Sequence, residues 1–541
     1  MPGSGKTSLG AHLARHGYGT HVDLDERVAQ VEGQTVADLL RHEGEPAFRV
    51  REAVALQEAL TEDRVVISAG GGAAVFHDGM AKMRAAATVL WLDAPPEVLV
   101  ERTLRDGDRP LLGDSKQAQL AALQTQTVQR NPVYAQAHLR IDARGTLDQV
   151  AREAQAALAP VARLPVQIEG TRHDVVIHAG HACDAAEEIA ALAPGAKVAL
   201  LVDAKVQAQA EPLQAMLQAR GMTVIRLDVA GGERCKDVRT AARLWQDLAE
   251  HGVDRGDLLV ALGGGAITDL GGFVAATWQR GMRVVLIPTT VLAMADASIG
   301  GKTAVNLALG KNLAGGKNLV GALHPPALVW LPLGALATLP SREFRAGLAE
   351  IAKVFACLDR PAWDALIADA PHLRKKSLTH LKPHLQRAIE LKAQIVTGDP
   401  REEAHLTTQG MIPRAILNFG HTLGHALEAE SAFALRHGEA VALGMVAAAE
   451  LSEAMGQAPA GTVGELRAGL QALDLPTRYE THLTEAVLAR LAQDKKRRGE
   501  TLALVTLAGI GRAQVSPCRV TQLVAMIRVL GVQAAPVVPG R

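Results

Sequence analysis

The sequence carries no surplus of either charge: 57 Lys+Arg offset 57 Asp+Glu, and aromatic residues make up only 3% of 541 positions. A nucleic-acid reader needs a basic face and rings on which bases stack, so both features argue against a nucleic-acid partner. Long hydrophobic runs are also missing. The stretch from Val284 to Ala295 is interrupted by Pro288 and closed by Asp296, well short of the ~18 apolar residues of a spanning helix. No membrane partner is therefore expected. The four cysteines, Cys183, Cys235, Cys357 and Cys518, form no C-x-x-C, and no basic head with an apolar run and cleavage site opens the chain. A cytoplasmic location follows as the expectation. What is present is ample core material, 48% hydrophobic with 21% charged residues. At about 150 residues per domain, this length predicts three or four domain-sized units.

Residues 1–158 alternate short β-type runs, such as Val65-Val66-Ile67 and Thr88-Val89-Leu90-Trp91-Leu92, with longer Ala/Leu/Glu/Arg-rich stretches. That rhythm predicts a parallel α/β sheet. Pro160 and Pro165 mark a linker over 159–165. A second α/β series over 166–340 reads as a Rossmann-like nucleotide-binding domain, with strands at Val198 to Val202, Thr223 to Ile225, Leu258 to Leu262 and Val284 to Ile287. Over 341–541 strand signals become rare and helical periodicity dominates, which predicts a mostly α-helical third domain.

Gly3-Ser4-Gly5-Lys6-Thr7 matches the end of G-x-x-x-x-G-K-[ST], with Ser8 next. In that pattern backbone N–H groups cradle phosphates, the lysine neutralises them and the hydroxyl holds Mg²⁺. The first glycine of the pattern would stand one residue before Met1, and the strand that launches the loop would lie further upstream. The expected sheet therefore lacks its first, central strand. It should expose apolar edges and act weakly until an in-frame upstream extension restores it.

Five further strings follow: His21-Val22-Asp23-Leu24-Asp25, Glu45-Pro46-Ala47-Phe48-Arg49, Ser68-Ala69-Gly70-Gly71-Gly72, Asp108-Arg109-Pro110-Leu111-Leu112 and Arg130-Asn131-Pro132-Val133-Tyr134. In this order and spacing, residues 1–145 resemble shikimate kinase. A small polyhydroxy carboxylate needs cationic forks, a carboxylate for its hydroxyls and glycines where its ring meets backbone. The resemblance implies that Asp25, Arg49, Gly71 and Arg130 hold shikimate, and that the loop from Gly3 to Ser8 holds ATP. By the same resemblance Lys6 and Arg109 stabilise the transferring phosphoryl group, Thr7 and Asp23 organise Mg²⁺, and Arg102 lies near the adenine. Catalysis of this kind is mostly positioning and charge stabilisation.

In the second half, Gly263-Gly264-Gly265-Ala266-Ile267-Thr268-Asp269 follows a buried strand and enters a helix, where glycines let backbone approach a pyrophosphate. Asn418-Phe419-Gly420-His421-Thr422-Leu423-Gly424-His425 sets two imidazoles at i and i+4, and His437-Gly438-Glu439 adds a third within seventeen residues. With Glu350 these make an N/O donor set of the Zn²⁺ type.

These strings, together with Gly231-Gly232-Glu233-Arg234-Cys235-Lys236, Gln279-Arg280-Gly281, Asp296 to Asn306, Gly347 to Lys353 and Asp494-Lys495-Lys496, resemble 3-dehydroquinate synthase over about residues 166–541. The resemblance implies Zn²⁺, or another divalent metal such as Co²⁺, on Glu350, His421 and His437. It implies NAD against Asp203, Gly231, Gly232, Glu233, Arg234, Cys235, Lys236, Gly265, Ala266, Ile267, Thr268, Asp269, Thr289, Thr290, Lys302 and Lys311. A seven-carbon keto sugar acid phosphate would meet Arg280, Asp296, Lys302, Asn306, Lys353, Lys392, Arg414, Asn418, His425 and Lys495 or Lys496. In the implied reaction NAD⁺ oxidises the C5 alcohol, phosphate leaves, the ketone is reduced, and the ring opens and closes to a carbocycle. Zn²⁺ acts as a Lewis acid, and His425 relays protons near its unperturbed pKa of about 6.5.

Glu350 and Lys353, three residues apart, can share one helix face. The whole reads as a bifunctional fusion acting on small molecules, expected as a homodimer through the synthase part. The alternative is a metal-dependent NAD alcohol dehydrogenase joined to a non-catalytic phosphate-loop module. The cations Arg280, Lys302, Lys353 and Arg414 argue against it, because such an enzyme need not grip a phosphate. One ambiguity is internal: Gly310-Lys311-Asn312 is nearly repeated at Gly316-Lys317-Asn318. Register counted forward from Asn306 puts Lys311 in the site, and counted backward from His324-Pro325-Pro326 it puts Lys317 there; the upstream tether favours Lys311, with the second pair bulging outward, a tolerable insertion because loop entropy grows slowly with length.

Overall fold

The computed structural model describes residues 1–16, 18–62, 65–104, 115–137, 139–158, 162–307, 317–403, 412–432, 434–493 and 501–534. The chain forms two compact units, Met1–Pro160 and Val161–Arg541. No helix among the described residues is long and apolar enough to cross a membrane.

In the first unit, helix α1 (Lys6–Arg15) begins at Gly5, whose φ of 82° permits the tight entry from the loop. Strands β1 (Thr20–Asp23) and β2 (Val65–Ser68) pair in parallel, as do β3 (Leu90–Asp93) and β4 (Leu139–Asp142). Among the described residues no pairing joins β2 to β3, so the sheet is two separate ribbons. Between them lies a largely apolar cavity of about 460 Å³, lined by β2, by Leu90, Trp91 and Leu92 of β3, and by Met1 and Leu9. Val65, Val66, Ile67, Leu90 and Trp91 are consequently only half-buried.

In the second unit, seven strands pair in the order β5-β6-β13-β10-β9-β7-β8. They are β5 (Ala162–Ile168), β6 (Thr171–His178), β7 (Lys197–Asp203), β8 (Thr223–Val229), β9 (Leu258–Gly263), β10 (Arg283–Pro288) and β13 (Leu328–Pro332). All pairings are parallel except β5 with β6. The expected linker over 159–165 thus gives way to strand from Ala162. Pro165 is tolerated because β5 lies at the sheet edge, where a missing N–H breaks no central ladder.

Alternation explains the continuous apolar runs. Val198, Leu200, Val202, Val260 and Leu262 face one core, while Ala199, Leu201, Leu259 and Ala261 face another. Both faces are covered, so neither can be polar. Helix α2 (Gly265–Thr277) leaves β9, and a small antiparallel pair, β11 (Lys302–Val305) with β12 (Val320–Leu323), stands beside the main sheet.

Beyond Pro340 the chain is mainly helical, as expected, with α3 (Ser341–Leu358), α4 (Leu378–Gly398), α5 (His421–Glu430) and α6 (His437–Ala454) supplying site residues. One antiparallel hairpin, β14 (Thr501–Leu507) and β15 (Ala513–Arg519), departs from that expectation. Helix α3 carries Phe344, Leu348, Ile351 and Phe355, all fully buried, in the same core as one face of the sheet.

Candidate functional site

The larger cleft, about 1160 Å³, lies in the second unit between the sheet's carboxyl edge and the helical segment. From β7 the chain crosses to β8 on one side and then returns to β9 on the other. The ends of β7 and β9 therefore flank a topological switch point, where α/β sheets bind ligands. Asp203 closes β7 there and Gly263 closes β9. A Cβ on Gly231 would collide with the Asp203 carboxylate, so only glycine fits against it.

Gly265, Ala266 and Asp269 line the cleft. Ile267 and Thr268 do not: their side chains are buried, and both N–H groups donate to the Gly264 carbonyl, at 2.9 and 3.1 Å. Thr289 N donates to Gly263 O at 2.9 Å, which fixes the end of β10, and Thr290 beside it, next to the glycine turn. Lys236 is buried, ion-paired to Asp269 and bonded to Asn318 Oδ1 at 2.5 Å. Asn306 donates to Glu233 at 2.8 Å and accepts from Asn318 N at 3.0 Å. Arg234 and the buried Cys235 belong to the same turn, and burial pushes the Cys235 thiol up to about 12. Burial thus favours the protonated thiol there.

Close helix packing assembles the opposite wall. A Cβ on Gly444 would strike the Gly420 carbonyl, and one on Gly438 would strike that of Ala346. Glycines at these positions let α6 approach both α5 and α3. His421, His437 and Glu350 converge as a result. His421 Nε2 and His437 Nε2 lie 3.8 and 3.3 Å from Glu350 Oε1. That oxygen is buried without a hydrogen-bond partner, while Oε2 accepts from Lys353 at 2.5 Å.

Burial works to raise the Glu350 pKa, but Lys353 and the two imidazoles outweigh it and keep the carboxylate ionised. Burial, aided by Lys353, pushes His421 down to about 4 and leaves its ring neutral. His437 goes the other way: burial opposes its charge, yet Glu350 and Glu428 hold it up to about 9. The His437 ring stands between two carboxylates, a place that suits a cation.

His421, His425 and His437 also present ring nitrogens within 4.8 Å of one another. Both groupings share His421 and His437. We favour Glu350 as the third donor because its unpartnered oxygen meets both Nε2 atoms. His425 departs from expectation: burial, reinforced by His421, His437 and Lys317, lowers its pKa well below the usual value. It is a neutral ring at pH 7, not a group titrating near 6.5.

Asp296 bonds Lys392 at 2.6 Å and faces Lys353 at 3.8 Å. Burial works to raise its pKa, but these lysines hold it down at about 2. Arg414 is buried, donating to the carbonyls of Pro400 at 2.6 Å and Gly300 at 3.2 Å. Lys302 pairs with Glu402, which also accepts from Asn418 at 2.7 Å.

Arg280 is a correction. It is exposed and does not line the cleft. The thirteen-residue α2, ~1.5 Å per residue, carries it about 20 Å from the glycine turn to the helix's other end. The register of the near-repeat is a second correction. Lys317, expected to bulge outward, lines the cleft and bonds both Glu428 oxygens at 3.1 Å. The β11–β12 pairing, Val305 with Val320, fixes its place from downstream. Lys311, Lys495 and Lys496 lie outside the described residues. Glu428 and Glu402 went unnoticed in the sequence, although Glu428, seven residues after His421, shares its helix face.

In the first unit, Gly3 (φ 71°) and Gly5 (φ 82°) shape the loop, and Thr7 donates to Asp23 at 2.7 Å, which joins the two groups expected at Mg²⁺. Ser4 bonds the Met1 carbonyl at 2.8 Å, Lys6 reaches it at 3.2 Å, and Ser8 lies in the first turn of α1. Arg49 is buried between Glu45 and Glu52, at 2.7 and 2.6 Å. A Cβ on Gly71 would meet Arg130 at 3.0 Å, and one on Gly70 would meet Asp25 at 3.3 Å, so these residues surround the glycine string. Arg102 donates to the carbonyls of Ala143, Arg144 and Gly145. Arg109 lies outside the described residues.

Comparison with known proteins adds lineage to this geometry. Residues 226–346 and 347–497 match the models "3-dehydroquinate synthase N-terminal" and "3-dehydroquinate synthase C-terminal". The 3-dehydroquinate synthase of Thermobifida fusca is 40% identical over 347 residues, which cover 64% of this chain and 90% of that protein. The chain belongs to the 3-dehydroquinate synthase family. The Caulobacter vibrioides 3-dehydroquinate synthase is likewise 40% identical, over 65% of this chain and 94% of the relative. A solved 2-epi-5-epi-valiolone synthase from Streptomyces hygroscopicus, with NAD⁺ and Zn²⁺ bound, aligns at TM-score 0.60 and 26% identity, covering 68% of this chain and 99% of its own.

Residues 2–159 match the shikimate kinase model. The chain is thus a fusion of the two, a bifunctional shikimate-pathway enzyme acting on small molecules. The alcohol-dehydrogenase alternative is not favoured.

Proposed function

We propose that the second unit's cleft converts 3-deoxy-D-arabino-heptulosonate 7-phosphate to 3-dehydroquinate, with NAD over the glycine turn and Zn²⁺ or Co²⁺ on Glu350, His421 and His437. The observation that carries this reading is the unpartnered buried oxygen of Glu350, faced by both Nε2 atoms. When bound, NAD supplies a reversible hydride acceptor and the metal a Lewis acid at the alcohol.

The chain's own residues do the rest. Asp203, Glu233, Lys236, Asp269, Thr289 and Thr290 surround the place for the dinucleotide. Lys302, Asn306, Arg414 and Asn418 supply cations and amides for the substrate's anionic groups. Asp296, kept ionised between Lys353 and Lys392, gives the site a fixed anion beside two fixed cations. The neutral His425 can exchange hydrogen bonds with the substrate next to the metal ligands.

In the first unit, we propose that Lys6, Thr7 and Asp23 hold ATP and Mg²⁺, while Asp25, Arg49, Gly71 and Arg130 hold shikimate for phosphorylation at a hydroxyl. We further propose a cytoplasmic homodimer. The four free thiols support the compartment. Arg280, exposed away from its own cleft, supports a second copy whose site it completes. Mixing R280A with H437A protein would then restore activity that neither variant has alone.

The deciding experiment assays the purified chain for phosphate release from the heptulosonate phosphate, with and without NAD and metal, and for ADP formation from ATP and shikimate. Synthase turnover unaffected by exhaustive metal removal would overturn the metal assignment.

A further inference from the structure

We propose that Glu428 is a positioning residue for the metal centre: it holds His437 so that Nε2 faces Glu350, and Lys317 holds Glu428 in turn. This rests on the reading of Glu350, His421 and His437 as metal ligands. Glu428 lies on α5 with its side chain only 8% exposed, so its carboxylate has few partners to choose from. His437 Nδ1 is 3.1 Å from Glu428 Oε2, and His437 Nε2 is 3.3 Å from Glu350 Oε1. An imidazole that donates Nδ1–H to a carboxylate keeps its lone pair on Nε2 and becomes a better electron donor there.

His421 provides the internal contrast. Its Nδ1 lies 3.2 Å from the carbonyl of Phe419, a neutral backbone acceptor that serves the same orienting purpose without a charge. Only the His437 arrangement depends on a replaceable side chain. Lys317 Nζ sits 3.1 Å from both Glu428 oxygens, and its neighbour Asn318 bonds Lys236, the partner of Asp269 at the nucleotide turn. The second member of the Gly-Lys-Asn repeat therefore ties the dinucleotide side of the cleft to the metal side through one carboxylate.

The test uses the full chain, stripped of metal and reloaded with Zn²⁺ or Co²⁺. Zinc dissociation constants are measured against a chromophoric chelator, and visible absorption is recorded for the cobalt forms, in the parent, E428A, E428Q and H437A. E428A should bind zinc about 10 to 100 times more weakly and shift the cobalt bands. E428Q should fall between E428A and the parent, because an amide oxygen still accepts from Nδ1–H but carries no charge.

H437A separates the two ideas. If it loses metal while E428A binds like the parent with an unchanged spectrum, the positioning role is wrong and the ligand set stands. If H437A itself retains metal, the ligand set is wrong. Should E428A fail to fold, parent-like affinity and spectrum in E428Q overturn the proposal.

Discussion

The two units build parallel sheets under different constraints. In the C-terminal unit the central strand Leu258–Gly263 is buried along its whole length, with β7 and β10 bonded to its two edges. In the N-terminal unit the corresponding interior is a cavity, and among the described residues the facing strands β2 and β3 are unbonded to each other. A closed sheet can hold desolvated charges such as Glu350, Lys353 and Lys392 in fixed geometry, since burial without partners would be prohibitive. The divided sheet of the first unit leaves its strands half-buried, and its loop and glycine string are held by single side-chain bonds, Ser68 donating to the Lys6 carbonyl and Tyr134 to that of Gly71. The synthase site should therefore be the more rigid and the more stable of the two.

The largest expected effects test whether the two sites are chemically independent. K6A removes the phosphate-loop cation and should lower ATP turnover with shikimate by about a thousandfold, the equivalent of roughly 4 kcal/mol of transition-state stabilisation. Synthase turnover should be unchanged. H421A should do the reverse, with comparable loss of the synthase reaction and of bound metal. Parallel steady-state assays of each variant on both substrates decide it, and a variant that damages both reactions would show that the units are coupled.

Stability sharpens the same contrast. Calorimetry should show two transitions, with kinase activity lost at the lower and synthase activity retained until the upper, since half-buried strands contribute less burial per residue than fully covered ones. A single transition that abolishes both activities would contradict the difference drawn from the cavity.

How much of this was legible in the sequence depends on the range over which each signal acts. The His421/His425 pair and the glycine turn are local patterns tied to one helix start, and they can be read directly. Arg280 could not be placed, because a motif adjacent to a helix does not reveal which end faces the cleft. Lys317 departs from expectation for a related reason: of the two registers the near-repeat allows, the strand that follows sets the one adopted, and β12 is recognisable only through its pairing with β11. Glu428 had a readable signal, one helix face shared with both histidines, but nothing marked a carboxylate as a partner for an imidazole nine residues on.

Metal binding should depend on pH through one proton. His437 is held up to about 9 by Glu350 and Glu428, so below that pH a metal must displace its proton. His421, near 4, is already deprotonated above pH 5 and contributes no slope. Apparent zinc affinity should therefore rise about tenfold per unit between pH 6 and 8 and level off above 9. Chelator competition across that range checks it. A flat profile would show that His437 is not protonated in the metal-free protein.

The smallest expected effect concerns Glu402, which lines the cleft beside two residues proposed to hold a substrate anion. Its carboxylate pairs with Lys302 and accepts from Asn418 at 2.7 Å, and both partners are read as substrate contacts. Glu402 holds this position from a left-handed backbone, φ 59°, which a non-glycine residue adopts only at some expense. Substrate binding must break the pair. Lys302 is about half exposed, at 47%, so the pair is screened by solvent and worth ~0.2–1 kcal/mol. Removing the charge with E402Q should lower KM for the heptulosonate phosphate by up to about fivefold and leave kcat unchanged. Steady-state kinetics at fixed NAD and metal give both constants. A rise in KM would mean that Glu402 helps to orient the substrate instead of competing with it.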